Sequence, residues 1–141
     1  MRVTLSDTAR RYIVLFEDVT GATAVDCVVD ETHDQVLFVV TAGEMGQAIG
    51  PDGKRVKRLE ARIGTDVELV EDAPTAEGFV ANALAPAAVY NVTLSENDDL
   101  VAYAEVDRED HGAAIGTDGR NIEAAKVLAK RHFDVDDIQL T

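Results

Sequence analysis

Apolar residues recur along this chain in two rhythms, and the places where one rhythm gives way to the other mark out its elements. Ala9, Tyr12, Ile13 and Phe16 follow Ser6 at spacings of three and four, which predicts a helix with one buried stripe, capped by Ser6 and closed by Gly21. Residues 25–29 and 35–40 are β-branched, apolar runs parted by Asp30-Glu31-Thr32-His33-Asp34, and they read as two strands joined by a turn. A short helix over 43–49 follows. From Gly53 onward Val56, Leu59 and Ile63 line one side of a second, amphipathic helix that stops at Gly64, and 66–70 alternates as a strand does. Past the polar, proline-containing stretch 71–74 the order returns: helix 75–84, strands 88–94 and 100–105, short helix 108–115, helix 119–132 and strand 135–140. Each half reads α-β-β-α-α-β.

The return is visible in the residues as well as the rhythm. Gly50-Pro51-Asp52-Gly53 reappears 66 positions later as Gly116-Thr117-Asp118-Gly119, each time after Ala-Ile and before a basic residue. Repetition at a fixed period sets the architecture, here two small domains, 1–72 and 73–141, of class α+β.

Charge changes this picture more than bulk composition does. The net charge of −14 argues against phosphate binding until its distribution is read. Residues 43–64 carry +2 and 108–132 carry +1, while the other 94 residues hold −17. The two repeated motifs are therefore less negative islands on an acidic body. Such acidity, with four lysines against nine arginines, points to an extreme halophile, where molar salt shortens the Debye length to about 3 Å. An acidic mesophilic surface is the alternative. No run of eighteen apolar residues is present to span a bilayer, and the first seven residues lack the basic start and apolar stretch of a secretory signal, so a cytoplasmic location and no membrane partner are expected. Cys27 is the only cysteine and reads as a small buried strand residue.

The glycine tetrapeptides carry the chemistry. Glycine lets a phosphate-sugar backbone lie against the main chain at Gly50, Gly53, Gly116 and Gly119. The helix that opens beside each loop offers N–H groups and a positive dipole end, to which Lys54, Arg55 and Arg120 add full charges. Asp52 and Asp118 set a carboxylate in each loop, read here as caps of the helices that follow. Helix, Gly-x-x-Gly and helix beside a small sheet, with a basic residue at the second helix's start, resembles the KH domain of RNA-binding proteins in its type II, prokaryotic order. Two such units in tandem resemble the KH region of the NusA family of transcription factors, and the length is similar to that of its short archaeal members. The 141 residues leave no room for the N-terminal polymerase-binding domain and oligonucleotide-binding barrel of bacterial members.

The resemblance implies two type II KH domains, each a three-stranded sheet packed against helices, that bind single-stranded RNA in transcription termination or antitermination, with RNA polymerase as a further partner. It implies an RNA site at Ile49, Gly50, Pro51, Asp52, Gly53, Lys54, Arg55 and Lys57, and at Ile115, Gly116, Thr117, Asp118, Gly119 and Arg120. The loop of such domains clamps about four backbone nucleotides, and unstacked bases rest on an adjoining surface. Ile49 and Ile115 are candidates for that surface, with burial in the core as the alternative.

Other chemistries find little support. A phosphate-binding P-loop needs glycine where Ala48 stands and Ser or Thr at Arg55. His33, His111 and His132 show no metal or catalytic spacing, and neither Ser6 nor Ser95 sits in a nucleophile elbow. The acidic pairs Asp98-Asp99 and Asp136-Asp137 read as solvated faces. No enzyme, metal or cofactor is expected. Lys57, Arg58, Arg62, Lys126, Lys130 and Arg131 would serve an acidic protein partner as well as RNA. An adaptor with degenerate clefts, and a KH protein of ribosome assembly or RNA processing, stand as alternatives.

Overall fold

A computed structural model describes residues 3–141; residues 1 and 2, which open the first domain expected from the sequence, lie outside it. The chain forms two compact units, one of Thr4–Asp72 and one containing Ala73–Thr141.

In the first unit, Ser6 Oγ accepts the Ala9 N–H at 3.0 Å and starts α1 (Asp7–Thr20). Gly21, at φ 74°, ends that helix. β1 (Ala24–Asp30) pairs antiparallel with β2 (Gln35–Val40), and β3 (Asp66–Glu71) joins the far side of β2 in parallel. A parallel neighbour demands a crossover, which α2 (Met45–Ile49) and α3 (Lys54–Ile63) provide. Every residue of β2 is buried, as its central place requires. Phe16 of α1 stacks on Phe38 of β2 with ring centroids 4.9 Å apart, and Leu59, Val36, Val40 and Cys27 complete the core. A fully buried side chain of this size contributes about 1.5–3 kcal/mol.

The second unit repeats the plan with smaller core residues. Thr75 Oγ1 caps α4 (Ala76–Ala83) by accepting from Gly78 N–H at 3.1 Å. β4 (Val89–Glu96) pairs antiparallel with β5 (Leu100–Val106), and β6 (Asp137–Leu140) runs parallel to β5 after a crossover through α5 (His111–Ile115) and α6 (Arg120–Phe133). Ala83, Ala102, Ala104, Ala124, Ala125 and Ala129 are all buried, and the Phe79 ring lies 5.3 Å from that of Phe133.

Element bounds fall within about two residues of the sequence reading, and two of the differences have a visible cause. The helix expected over 108–115 is a turn of 3₁₀ helix, Arg108–Asp110, followed by α5, because the Asp107 carboxylate draws in the Glu109 N–H at 3.0 Å. The strand expected from residue 135 pairs only from Asp137, because the preceding residues finish α6. Asp134, at φ 60°, donates its N–H to Lys130 O, and Val135 N–H reaches Ala129 O. Among the described residues, no helix is long and apolar enough to cross a membrane.

Candidate nucleic-acid interface

Each glycine loop is aimed by a carboxylate latch. Glu44 Oε1 accepts from Thr23 N–H at 2.8 Å, fixing the start of β1 to the start of α2, and Asp110 Oδ2 accepts from Ala88 N–H at 2.9 Å where β4 meets α5. Both carboxylates lie six residues before their loop's first glycine. The sequence reading missed them, although extending the repeat upstream sets Glu44 over Asp110.

The two loops have one backbone. Gly50 has φ 76°, ψ 172° and Gly116 has φ 77°, ψ 169°; Asp52 has φ 55° and Asp118 has φ 56°; Gly53 has φ 71° and Gly119 has φ 78°. Gly53 N–H donates to Gly50 O, and Gly119 N–H to Gly116 O, both at 3.1 Å. Pro51 has no N–H where Thr117 has one.

This geometry reassigns the loop aspartates. Neither caps the following helix by its side chain: the N-cap positions are Gly53 and Gly119, and no side-chain cap bond is made there. Asp52 and Asp118 instead occupy left-handed backbone. The four non-glycine residues of positive φ among the described residues are Asp34, Asp52, Asp118 and Asp134. Aspartate tolerates this region better than most side chains because its short polar group bonds locally.

The four glycines divide into two kinds. A Cβ on Gly50 would come within 2.6 Å of Arg55 Cγ, and one on Gly116 would lie 2.8 Å from Asn121 Cβ and 2.9 Å from the Asn121 main-chain nitrogen. These two glycines serve the loop's own packing. A Cβ on Gly53 or Gly119 meets nothing nearer than 3.8 or 3.7 Å, so this is where the loop leaves space for another molecule. Beside each loop an isoleucine is exposed while its alanine neighbour is buried: Ile49 is 39% and Ile115 42% accessible, against 0% for both Ala48 and Ala114. Burial in the core is thereby excluded for both isoleucines.

Behind the loops, side-chain amides hold the helices together, and the two units supply them from different places. In the first, Gln47 of α2 donates Nε2–H to Thr20 O at the end of α1 (2.9 Å), while Arg55 Nη1 donates to Gln47 O at 2.9 Å. In the second, Ala113 stands at the position of Gln47, and Asn121 of α6 does both tasks. Its buried Nδ2 lies 3.1–3.4 Å from the carbonyl oxygens of Ala114, Ala113, Ala85 and Leu84. Its two N–H groups thus bridge α5, α6 and the chain leaving α4.

The cations are also deployed differently. On α3, Lys54, Lys57, Arg58 and Arg62 are exposed, and among the described residues none enters an ion pair; Lys57 Nζ leans back to Asp52 O at 3.4 Å. On α6, Lys126 lies 3.4 Å from Asp137, and Lys130 lies 2.7 Å from Asp136 and 3.0 Å from Asp134. Hydrogen bonds to Asp136 and then Asp134 hold the Lys130 ammonium above its usual pKa, and the bond from Lys130 holds Asp136 below the usual carboxylate value. Asp136 also accepts the Leu100 N–H at 2.8 Å, so it is a bonded partner where a solvated face was expected. Arg120 heads α6 at the place of Lys54.

A hollow of about 640 Å³, open to solvent, lies away from the glycine loop in the second unit among Tyr90, Glu105, Val106, Asp107, Arg108, His111 and Thr141, and no loop residue lines it. Tyr90 Oη donates to Asp107 Oδ2 at 2.7 Å, which raises the tyrosine pKa and lowers that of the aspartate.

Comparison with known proteins agrees with this geometry. Residues 10–106 match the family model of the KH domain, and residues 76–141 match that of the NusA-like second KH domain. The chain is 69% identical, over the whole of both chains, to the probable transcription termination protein NusA of Halobacterium salinarum, and 66% identical, over 99% of each, to that of Halococcus morrhuae. Both relatives are haloarchaeal, the kind of source to which the charge balance pointed. The crystal structure of APE1850 superposes with a TM-score of 0.85 at 31% identity, covering 97% of this chain and 100% of that one.

Proposed function

This chain belongs to the NusA family of KH-domain transcription termination proteins, and from that premise we propose that it binds single-stranded RNA at both glycine loops in transcription termination or antitermination. The observation that carries the reading is the duplicated loop, identical in backbone to within about ten degrees, opening a basic helix each time. A phosphate lies over the open Cα face of Gly53 or Gly119, close to the N-terminus of α3 or α6, where the helix dipole and Lys54 or Arg120 attract it. Pro51 and Asp52, and Thr117 and Asp118, shape the turn, with the Thr117 N–H and hydroxyl as added donors. Arg55 keeps spare guanidinium N–H groups while one holds α2, and Lys57 closes the rim. Ile49 and Ile115 offer apolar support to a splayed base. The protein acts in the cytoplasm by binding rather than by turnover, and RNA polymerase is the machinery it serves.

Both loop carboxylates repel phosphate at short range, so affinity depends on contacts that outlast charge screening. Anisotropy of labelled single-stranded RNA across moderate to molar potassium chloride tests this, with micromolar or tighter binding expected to persist in molar salt. Replacing Gly53 and Gly119 by Asp puts a carboxylate where phosphate must lie. The new side chains meet no packed atom, and Asp already occupies left-handed backbone four times in this chain. The double variant is expected to keep its circular dichroism spectrum and lose RNA binding; unchanged affinity would overturn the site.

A further inference from the structure

The exposed residues of α3 are Lys54, Lys57, Arg58, Ala61 and Arg62, a spacing of i, i+3, i+4, i+7 and i+8 that places them on one face of the helix. Four of the five are cationic, and they run about 12 Å from the glycine loop at 1.5 Å per residue. Like charges at these spacings repel in the free protein by about 0.2–0.5 kcal/mol per pair. Their own helix does not relieve them. Its only acid, Glu60, is half-buried and turned to β3, where Oε2 accepts from Val67 N–H at 3.0 Å. Solubility does not require the stripe either, in a chain with 27 acidic residues.

The repeat supplies an internal control. On α6 the positions corresponding to Lys57, Arg58, Ala61 and Arg62 hold Glu123, Ala124, Val127 and Leu128, and the same fold forms without a basic stripe. Ala124 and Leu128 are buried in the second unit where Arg58 and Arg62 stand exposed in the first, so packing explains why this face of α3 is open but not why it is cationic. An anionic occupant accounts for them, and its chemistry follows from their arrangement. They continue in line from the loop, so one extended polyanion can pass from Gly53 onto the helix. The far end carries arginines, whose planar forks grip phosphate oxygens at contact distance and so still work when salt removes long-range attraction.

Resting on the RNA-binding reading above, we infer that the α3 face formed by Lys54, Lys57, Arg58 and Arg62 is a phosphate track that carries RNA beyond the first loop, and that the second unit has no such track. The two clefts are then unequal, the first holding a longer and more salt-sensitive stretch of RNA.

The test compares wild type with Arg58→Gln/Arg62→Gln, both residues exposed and outside the loop, using single-stranded RNAs of about four and about ten nucleotides across a potassium chloride series. The shorter RNA is expected to bind both proteins alike. The longer one is expected to lose about tenfold in affinity, and its log–log salt slope to fall by about 1.4, or about 0.7 for each phosphate contact removed. Unchanged affinity and slope for the longer RNA, with binding still abolished by Gly53→Asp/Gly119→Asp, would overturn the track and leave the loop reading standing. A wild type that binds neither RNA would overturn both. Retention of polyglutamate, but not RNA, by the wild type and not by Arg58→Gln/Arg62→Gln would assign the stripe to an acidic protein instead.

Discussion

The two glycine loops share one motif and one backbone in unlike surroundings. Around the first, Gln47 and Arg55 tie the helices together and the cations of α3 are left unpaired; around the second, Asn121 alone makes the tie, and Lys126 and Lys130 of α6 are held by aspartates of their own unit. Two tethering schemes and two charge patterns leave φ and ψ unchanged to within about ten degrees. The loop's form is thus set by its own residues, two glycines and a left-handed aspartate, and its surroundings are free to vary. On the binding reading proposed above, that freedom would let one duplicated unit hold two binding strengths.

The sharpest way to break the comparison is at the first glycine of each loop. A Cβ on Gly116 meets the main-chain nitrogen of Asn121, which cannot move without α6, whereas on Gly50 it meets only the Arg55 side chain. Both positions sit near φ 76°, ψ 170°, a region costly to any L side chain. Gly116→Ala is expected to destabilise its unit by about 3 kcal/mol and Gly50→Ala by about 2 kcal/mol. Urea unfolding in molar potassium chloride reads both, and equal costs would mean that the Asn121 backbone yields as easily as a side chain.

The tethers come next. Asn121→Ala removes a buried amide and leaves several carbonyl oxygens without their donor, a loss of about 2 kcal/mol. Gln47→Ala removes one bond to Thr20 O in a half-exposed place, where water can take over, and should cost about 1 kcal/mol or less. The same unfolding curves separate them. If Gln47→Ala costs as much as Asn121→Ala, the first unit has no second tether in Arg55.

These tethers mark what the sequence conceals. The ends of α1 and α3 were legible because Ser6, Gly21, Gly53 and Gly64 are punctuation whose chemistry is local. The loop was legible because it occurs twice. The role of Asp52 and Asp118 was not, since an aspartate ahead of a helix satisfies both cap chemistry and left-handed backbone, and only φ tells them apart. Asn121 was hidden for another reason: its partners lie 7 to 37 residues away, and its traces are only that Asn stands at the place of Arg55 and Ala113 at that of Gln47 within the repeated motif. Parallel pairing of β3 on β2 and of β6 on β5 depends on how the crossover packs, which the pattern within a single strand does not encode.

The smallest effect is expected where the second unit neutralises itself. Asp136→Asn removes the nearer of the two carboxylate charges on Lys130 and keeps an oxygen to accept the Leu100 N–H, so the turn before β6 persists while that ion pair goes. The folded pKa of Asp136 lies below its ordinary value, so the stability this carboxylate contributes is present at neutral pH and is lost as pH falls through the depressed value. Lys130, raised by the same contact, contributes below the ordinary lysine pKa and loses that contribution as pH rises through its raised one. Both partners are exposed, and molar salt screens them. The melting temperature of Asp136→Asn should therefore sit slightly below that of wild type at neutral pH in dilute salt, with the gap closing only as pH falls past the ordinary carboxylate range and through the depressed value, where the wild-type carboxylate also becomes neutral. Lys130 keeps its contact with Asp134, but the second unit becomes one charge less negative, so the same substitution that weakens its fold should slightly narrow the difference in RNA salt dependence between the two clefts. A gap that persists unchanged in acid would trace the loss to the geometry of the turn rather than to charge.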